Sequence, residues 1–120
     1  KGLFWIDSRH NQAMTWGQAG GSLKADSAGV WWSSMPMKER SNYADFMYNQ
    51  EVIEKNWDKQ FGDRKNELVF IGQDLNKEKI VMELNKCLSS DNEIVNVEWE
   101  SGIEDSWPVQ RAIPPHKQEY

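Results

Sequence analysis

The sequence predicts an α+β domain of two layers, in which a mixed or mostly antiparallel sheet of about four strands carries two main helices on one face. The prediction rests on short apolar stretches near the start that are separated by turn residues, and on two longer segments with apolar residues at helical spacing. A chain of 120 residues also has the size of one domain with one core. We assign residues 1–110 to this domain and residues 111–120 to a flexible tail.

Three strands are expected in the first part of the chain. Residues 3–6 form an apolar run, and residues 13–18 (AMTWGQ) are typical of a second strand. The turn residues between them favour a hairpin, and Gly20-Gly21 indicates a further turn. Residues 23–32 are interpreted as a third, irregular strand.

Two amphipathic segments predict the helices. Residues 33–40 contain Pro36 and little periodicity, which predicts a loop. A first helix is expected over residues 41–59, with Ser41 as its N-cap, because its apolar residues recur at steps of three and four. A second helix is expected over residues 74–90 for the same reason.

Between these helices lies a charged turn followed by four consecutive apolar residues, 68–71 (LVFI). An apolar run without alternation is typical of a strand that is covered on both faces, so we predict a central strand of the sheet. Beyond residue 90 the periodicity fades, with one possible short strand over residues 94–99.

The composition excludes several classes of protein. Nineteen acidic and fourteen basic residues are interspersed and give a net charge of −5, which argues against nucleic acid as a partner. No apolar run is long enough to span a membrane, so no membrane partner is expected. The single cysteine, Cys87, allows no disulfide framework and favours a reducing, cytoplasmic location. The chain has no starting methionine and enters an apolar strand at once, so we expect it to be cut from something longer.

No constellation of residues supports catalysis. A GxxxxGK[ST] phosphate loop is absent from the sequence. Cys87 falls on the apolar face of the second helix, where a small buried thiol is commoner than a reactive thiolate. No pair of carboxylates lies in an apolar setting that would raise one pKa. We therefore expect this segment to have no enzymatic activity.

Metal binding has two weak candidates. His10 lies in a turn and His116 in the tail, and Asp7 or Glu119 could join them. Histidines in loops are more often simply solvated, so the expectation is that this segment holds no metal or other cofactor. Direct metal binding stays open as a minor alternative.

Seven tryptophans are the largest departure from ordinary composition. Trp5, Trp16 and Trp57 fall at positions where the patterns predict core. Trp31 and Trp32 are adjacent, and neighbouring strand residues point to opposite faces, so one of the two is expected to be exposed as an interaction candidate. A stand-alone aromatic-rich module that binds a protein or peptide is the alternative function.

Several blocks of the sequence resemble the C-terminal domain of the CobW family. The blocks are KGLFWIDSR at residues 1–9, AGVWW at 28–32, FGDRKNELVFIGQDLNKEKI at 61–80 and MELNKCL at 82–88. The DSWP at residues 105–108 is similar to the family's ending, with Ser-Trp where Pro-Phe is commoner.

The resemblance implies the C-terminal half of a P-loop GTPase that acts as a metallochaperone or insertase. It implies GTP, Mg²⁺ and a transition metal such as Zn or Co in an N-terminal domain, and roles related to zinc homeostasis or cobalamin biosynthesis. Its implied partners are the GTPase domain of the same polypeptide and a client metalloprotein or partner subunit. It assigns no catalytic or metal-binding residue here. Arg64 joins Trp31 and Trp32 as an interaction candidate, although Arg64 could instead pair with Asp63.

Overall fold

The structure is a computed structural model that describes residues 1–90, 105–109 and 115. The predicted α+β class is confirmed, since an antiparallel sheet of four strands is combined with three helices in these residues. The elements are β1 (Gly2–Phe4), β2 (Gln12–Ala19), β3 (Ser22–Val30), α1 (Met37–Arg40), α2 (Ala44–Lys55), β4 (Glu67–Leu68) and α3 (Lys77–Asn85).

The sheet has the strand order β3-β2-β1-β4 with antiparallel neighbours throughout. The predicted hairpin of β1 and β2 is present, and β2 and β3 form a second hairpin. Gly2 lies opposite Trp16 in the first hairpin, and Gln18 lies opposite Leu23 in the second. Gly20 has a φ of 59° in the β2–β3 turn, a left-handed conformation that glycine adopts without steric cost.

The buried core extends from the sheet to the loops beside α2. Met14 on β2 and Phe46 on α2 are the fully buried apolar side chains, and both are 0% exposed. Phe4 on β1 is also buried and meets Trp16 edge to face at 6.4 Å between ring centroids. The remaining buried apolar residues are Ala13, Trp31 and Met35.

The region predicted as a loop followed by one long helix is built differently. Pro36 is the N-cap of the short helix α1, where a residue without an N–H is tolerated. Ser41 ends α1 and donates its hydroxyl to the carbonyl of Met37, so its prediction as the N-cap of the long helix is wrong. That helix, α2, begins at Ala44 and ends at Lys55.

The prediction of a central strand over residues 68–71 is wrong. Only Glu67–Leu68 form β4, and this strand lies at one edge of the sheet, paired with β1 alone. Ile71 is 92% exposed. The apolar run resembled a doubly covered strand, but no other described strand pairs with its outer side.

The second helix is shorter than expected and lies mostly in solvent. α3 spans Lys77–Asn85, and Asn76 caps it by accepting a hydrogen bond from the Lys79 N–H. None of its residues is fully buried, and Cys87 beyond its end is exposed, which corrects the prediction of a buried thiol. Within the described ranges no helix has the length and hydropathy to cross a bilayer. The possible strand over residues 94–99 lies outside them.

Candidate interaction surface

Arg64 forms a hydrogen-bonded clamp between three loops. Its Nε donates to the carbonyl of His10 at 3.0 Å, and its Nη1 donates to the carbonyl of Phe61 at 3.0 Å. The two Nη atoms also donate to the hydroxyls of Ser33 and Ser34 at 2.7 and 2.8 Å. All three guanidinium nitrogens therefore bond within the chain. Burial lowers the pKa of Arg64 to about 10, so it stays charged at neutral pH.

Asp63, the neighbour of Arg64, holds the same loops through backbone groups. Its carboxylate accepts hydrogen bonds from the N–H groups of Trp32 and Ser33 at 2.8 and 2.9 Å. These N–H groups open a 3₁₀ turn over Trp32–Ser34, where such donors otherwise have no helical partner. Gly62, just before the clamp, has a φ of 68° and lies so close to Ser33 that a Cβ would not fit.

The adjacent tryptophans do not lie on a strand, because β3 ends at Val30. Trp31 is 4% exposed, and its buried indole N–H has no hydrogen-bond acceptor among the described residues. Trp32 is half-buried and packs against Phe46, with 5.2 Å between ring centroids, and against Tyr43 at 5.7 Å. As interaction residues, Trp31, Trp32 and Arg64 stay predictions. In this conformation all three contribute to packing.

Of the two histidines, His10 lies among the described residues and His116 does not. His10 is half-buried beside Trp5, with 5.5 Å between the ring centroids, and its carbonyl accepts from Arg64. His116 lies outside the described residues, so the metal site it would share with His10 stays a prediction. Within residues 1–90, 105–109 and 115, no group of three or more His, Cys, Asp or Glu residues could hold a metal ion.

A second arginine holds the segment 105–109 against the start of the chain. Arg9, 4% exposed, makes two hydrogen bonds to the carboxylate of Asp105, each of 3.0 Å. It also donates to the carbonyls of Trp107 and Val109, and the Ser8 hydroxyl donates to Asp105 at 2.6 Å. The hydrogen bond from Arg9 and those from Ser8 and the Trp107 N–H lower the pKa of Asp105 well below its usual range, against the opposing effect of burial.

Large apolar side chains are exposed in residues 69–88, which follow β4 and include α3. We call this the C-terminal apolar segment. Ile71 is the most exposed of these side chains at 92%, and others are close to half exposed, including Val69, Phe70, Leu75, Val81, Met82 and Leu88. Exposed apolar residues so close in sequence are typical of surfaces that bind another protein or domain.

Sequence reasoning missed both Arg9 and the exposure of the C-terminal apolar segment. Arg9 and Asp105 are 96 residues apart, and no local spacing connects them. For the apolar segment, the signal was visible as unbroken apolar residues in 68–71. Periodicity indicates that such a strand should be covered, but it does not indicate by which part of which chain.

Comparison with known proteins identifies relatives of the whole domain. The family model of the cobalamin synthesis protein cobW C-terminal domain matches residues 1–88. The zinc-regulated GTPase metalloprotein activator 1 of Dictyostelium discoideum is 38% identical over 96 residues, which cover 79% of this chain. A zinc chaperone of Mycobacterium tuberculosis is 30% identical over 112 residues, covering 87% of this chain. No solved structure matches significantly.

These relatives are much longer than the matched region. The alignment covers 19% of the Dictyostelium protein and 26% of the mycobacterial zinc chaperone. The chain thus spans about a fifth to a quarter of the length of the curated relatives that it matches.

Proposed function

The chain belongs to the cobalamin synthesis protein CobW C-terminal domain family, and on this premise we propose that it is a non-catalytic accessory domain of a GTP-dependent metal chaperone or insertase. Its role is to contact the GTPase domain of the same polypeptide or a client metalloprotein. Two relatives are a zinc-regulated GTPase metalloprotein activator and a zinc chaperone, which supports zinc as the metal.

The observation that carries the proposal is the exposed C-terminal apolar segment. Burying apolar surface stabilises an interface by roughly 25 cal/mol for each Å² removed from water. Side chains such as Ile71 and Leu88, 92% and 59% exposed, gain this stabilisation only when another surface covers them. An accessory domain that docks on a larger partner has a use for such residues, whereas an independent domain does not.

Within residues 1–90, 105–109 and 115, no group of side chains fits the transition metal that the proposed activity needs. The sequence has no phosphate loop, and the described residues contain no cluster of three or more potential metal ligands. We therefore assign GTP hydrolysis and metal binding to another part of the polypeptide, and no step of that chemistry to the side chains described above.

The test begins with the native polypeptide in the source cells. An antibody raised against residues 1–90 is expected to detect a band larger than this chain by at least roughly 200 residues, the size of one further domain. The full polypeptide is then purified, and its GTP hydrolysis is measured with and without the substitution Leu88→Ser. We expect hydrolysis without client to persist, and its response to a zinc-requiring client protein to weaken. A native band no larger than this chain contradicts the proposal.

A further inference from the structure

Among residues 1–90, 105–109 and 115, no strand pairs with the outer side of β4. Val69 directs both of its backbone groups to Lys1: its N–H donates to the Lys1 carbonyl and its carbonyl accepts from the Lys1 amino group, each at 2.8 Å. Residues of an antiparallel strand alternate in the side to which their N–H and C=O groups point. Leu68 and Phe70 therefore direct these groups away from β1, to the outer edge of the sheet.

Glu67, at the start of this edge, is paired with Lys65, and the side chains that follow it, residues 68–71, are apolar on both faces of the sheet. Leu68 lies opposite Gly2, and Phe70 meets Trp16 edge to face at 6.2 Å between centroids, so these two share one face. Because side chains alternate along a strand, Val69 and Ile71 lie on the opposite face, where they are 51% and 92% exposed. A strand with open backbone groups and apolar residues on both faces is a template for pairing.

The opposite edge of the sheet has different chemistry. On β3 the charged residues Lys24 and Asp26 form an ion pair of 3.2 Å, with side chains 77% and 57% exposed. The β2–β3 pairing also contains an irregularity at Ala13 and Met14. Charged side chains and bulges are the features that protect natural sheet edges from further pairing. Within the described sheet, the β3 ion pair lies in the middle of a nine-residue strand, whereas the corresponding pair at β4, Lys65–Glu67, precedes Leu68 and leaves residues 68–71 without a charged side chain.

We propose that the outer edge of β4 accepts an additional β-strand from another segment of the longer polypeptide, which pairs with the backbone of Leu68 and Phe70. This inference rests on the proposed function, which places the domain in such a polypeptide. The donor segment is expected to be apolar on both of its faces, because it lies beside Phe70 on one face and beside Val69 and Ile71 on the other.

The length of the relatives favours this donor over a second copy of the chain. The matched region is only 19% to 26% of the curated relatives, so most of their residues lie outside this domain. A strand from the same polypeptide is present at a high effective concentration, whereas a second copy must be recruited from solution.

Amide hydrogen exchange in the full native polypeptide tests the proposal residue by residue. The Val69 N–H bonds to Lys1 whether or not a strand is added, so it is the internal reference. The Leu68 and Phe70 amides are expected to exchange more slowly than free amides by at least about 100-fold, as in an ordered ladder. Rapid exchange at both, with Val69 protected, overturns the proposal, even if the apolar side chains are covered by a helix.

Two further outcomes also overturn it. Protection that disappears when the polypeptide is diluted to a monomer identifies a second copy as the donor. If the native polypeptide is no larger than this chain, both the added strand and the proposed function are contradicted. If the polypeptide is longer but the Leu68 and Phe70 amides are unprotected, only the added strand is contradicted.

A pair of substitutions at Phe70 adds a control. Phe70→Pro removes the outward N–H, which edge positions tolerate because it is not needed for pairing with β1. In the full polypeptide this variant is expected to lose protection at Leu68 while Val69 stays protected. Phe70→Leu keeps the N–H and an apolar side chain and should behave like the wild type. Unchanged protection of Leu68 in Phe70→Pro counts against the strand.

Discussion

The loops held by Arg9 and Arg64 differ from the β4 edge in whether their side chains find partners within the chain. Around Arg9 and Arg64, charged groups are drawn into the interior and each is bonded to partners within the chain. Beside β4, apolar side chains such as Ile71 lie in solvent. In the first region both guanidinium groups have hydrogen-bond partners within the chain, whereas in the second region large apolar side chains are exposed to solvent. Four substitutions can break or sharpen this contrast.

The largest effect is expected for Asp105→Asn. The Arg9 side chain is 3% exposed, and without its carboxylate partner the buried guanidinium loses its charge compensation. The free energy of unfolding is expected to fall by about 3 kcal/mol at pH 7, a typical cost of breaking a buried ion pair. Denaturant unfolding of the chain measures this loss.

The pH dependence of the stability of Asp105→Asn is a second test of the ion pair between Arg9 and Asp105. The hydrogen bond from Arg9 lowers the pKa of Asp105 in the folded state, so this carboxylate stabilises the fold fully above its unfolded pKa. The contribution is lost as the pH falls from about 4, the usual pKa of an aspartate, toward the lower folded pKa. Asp105→Asn should therefore lose less stability between pH 5 and pH 2 than the wild type, and equal losses would contradict the clamp.

The next effect is expected for Arg64→Met, which keeps much of the apolar stem but removes hydrogen bonds to two carbonyls and two hydroxyls. We expect a loss of about 2 kcal/mol, since bonds from charged donors contribute more than neutral ones. Lys65→Met is the matched control, because the Lys65 pair with Glu67 is exposed and contributes little to stability. Equal losses in the two variants would mean that Arg64 is no clamp.

A smaller loss is expected where β1 meets β4. A Cβ at Gly2 would overlap the carbonyl oxygen of Glu67, so Gly2→Ala must push the two strands apart. Such overpacking costs about 1.5 kcal/mol, and faster exchange of the Val69 amide would locate it at β4. Gly17→Ala on β2 is the control, because no neighbouring atom lies within 4 Å of its added Cβ.

The smallest effect is expected for Ile71→Ser in the chain alone. Its side chain is 92% exposed, so little apolar burial is lost, and the free energy of unfolding should change by at most about 0.5 kcal/mol. The same substitution in the full polypeptide should cost more, because the side chain is covered there. A loss above about 1 kcal/mol in the chain alone would show that the β4 edge is already buried.

Much of the fold could be predicted because its signals are local. Gly20 and its neighbours specify the turn between β2 and β3, and the apolar spacing in α2 and α3 specifies helices. Helix ends were harder to predict. Asp58 accepts hydrogen bonds from the N–H groups of Gln60 and Phe61, forming a turn after α2 in a region expected to be helical.

The surroundings of the candidate interaction residues could not be predicted from the sequence. Trp31 or Trp32 was selected because one of two adjacent strand residues is expected to be exposed, and Arg64 because it belongs to the block that resembles the CobW family. The structure instead buries Trp31 and surrounds the Arg64 guanidinium with acceptors from other loops. Burial of a side chain depends on which distant segments meet it, and no spacing within the sequence records that.

By itself, the sequence determined the α+β class, the first hairpin and the resemblance to the CobW C-terminal domain, because turns, periodicity and ordered motifs involve residues that are near one another in the chain. Only the tertiary structure decided that Arg9 holds Asp105 and that residues 68–71 lie at an edge rather than at the centre. Both outcomes depend on contacts between distant segments. The free energy of those contacts comes from burial and charge compensation, which exist only after the chain has folded.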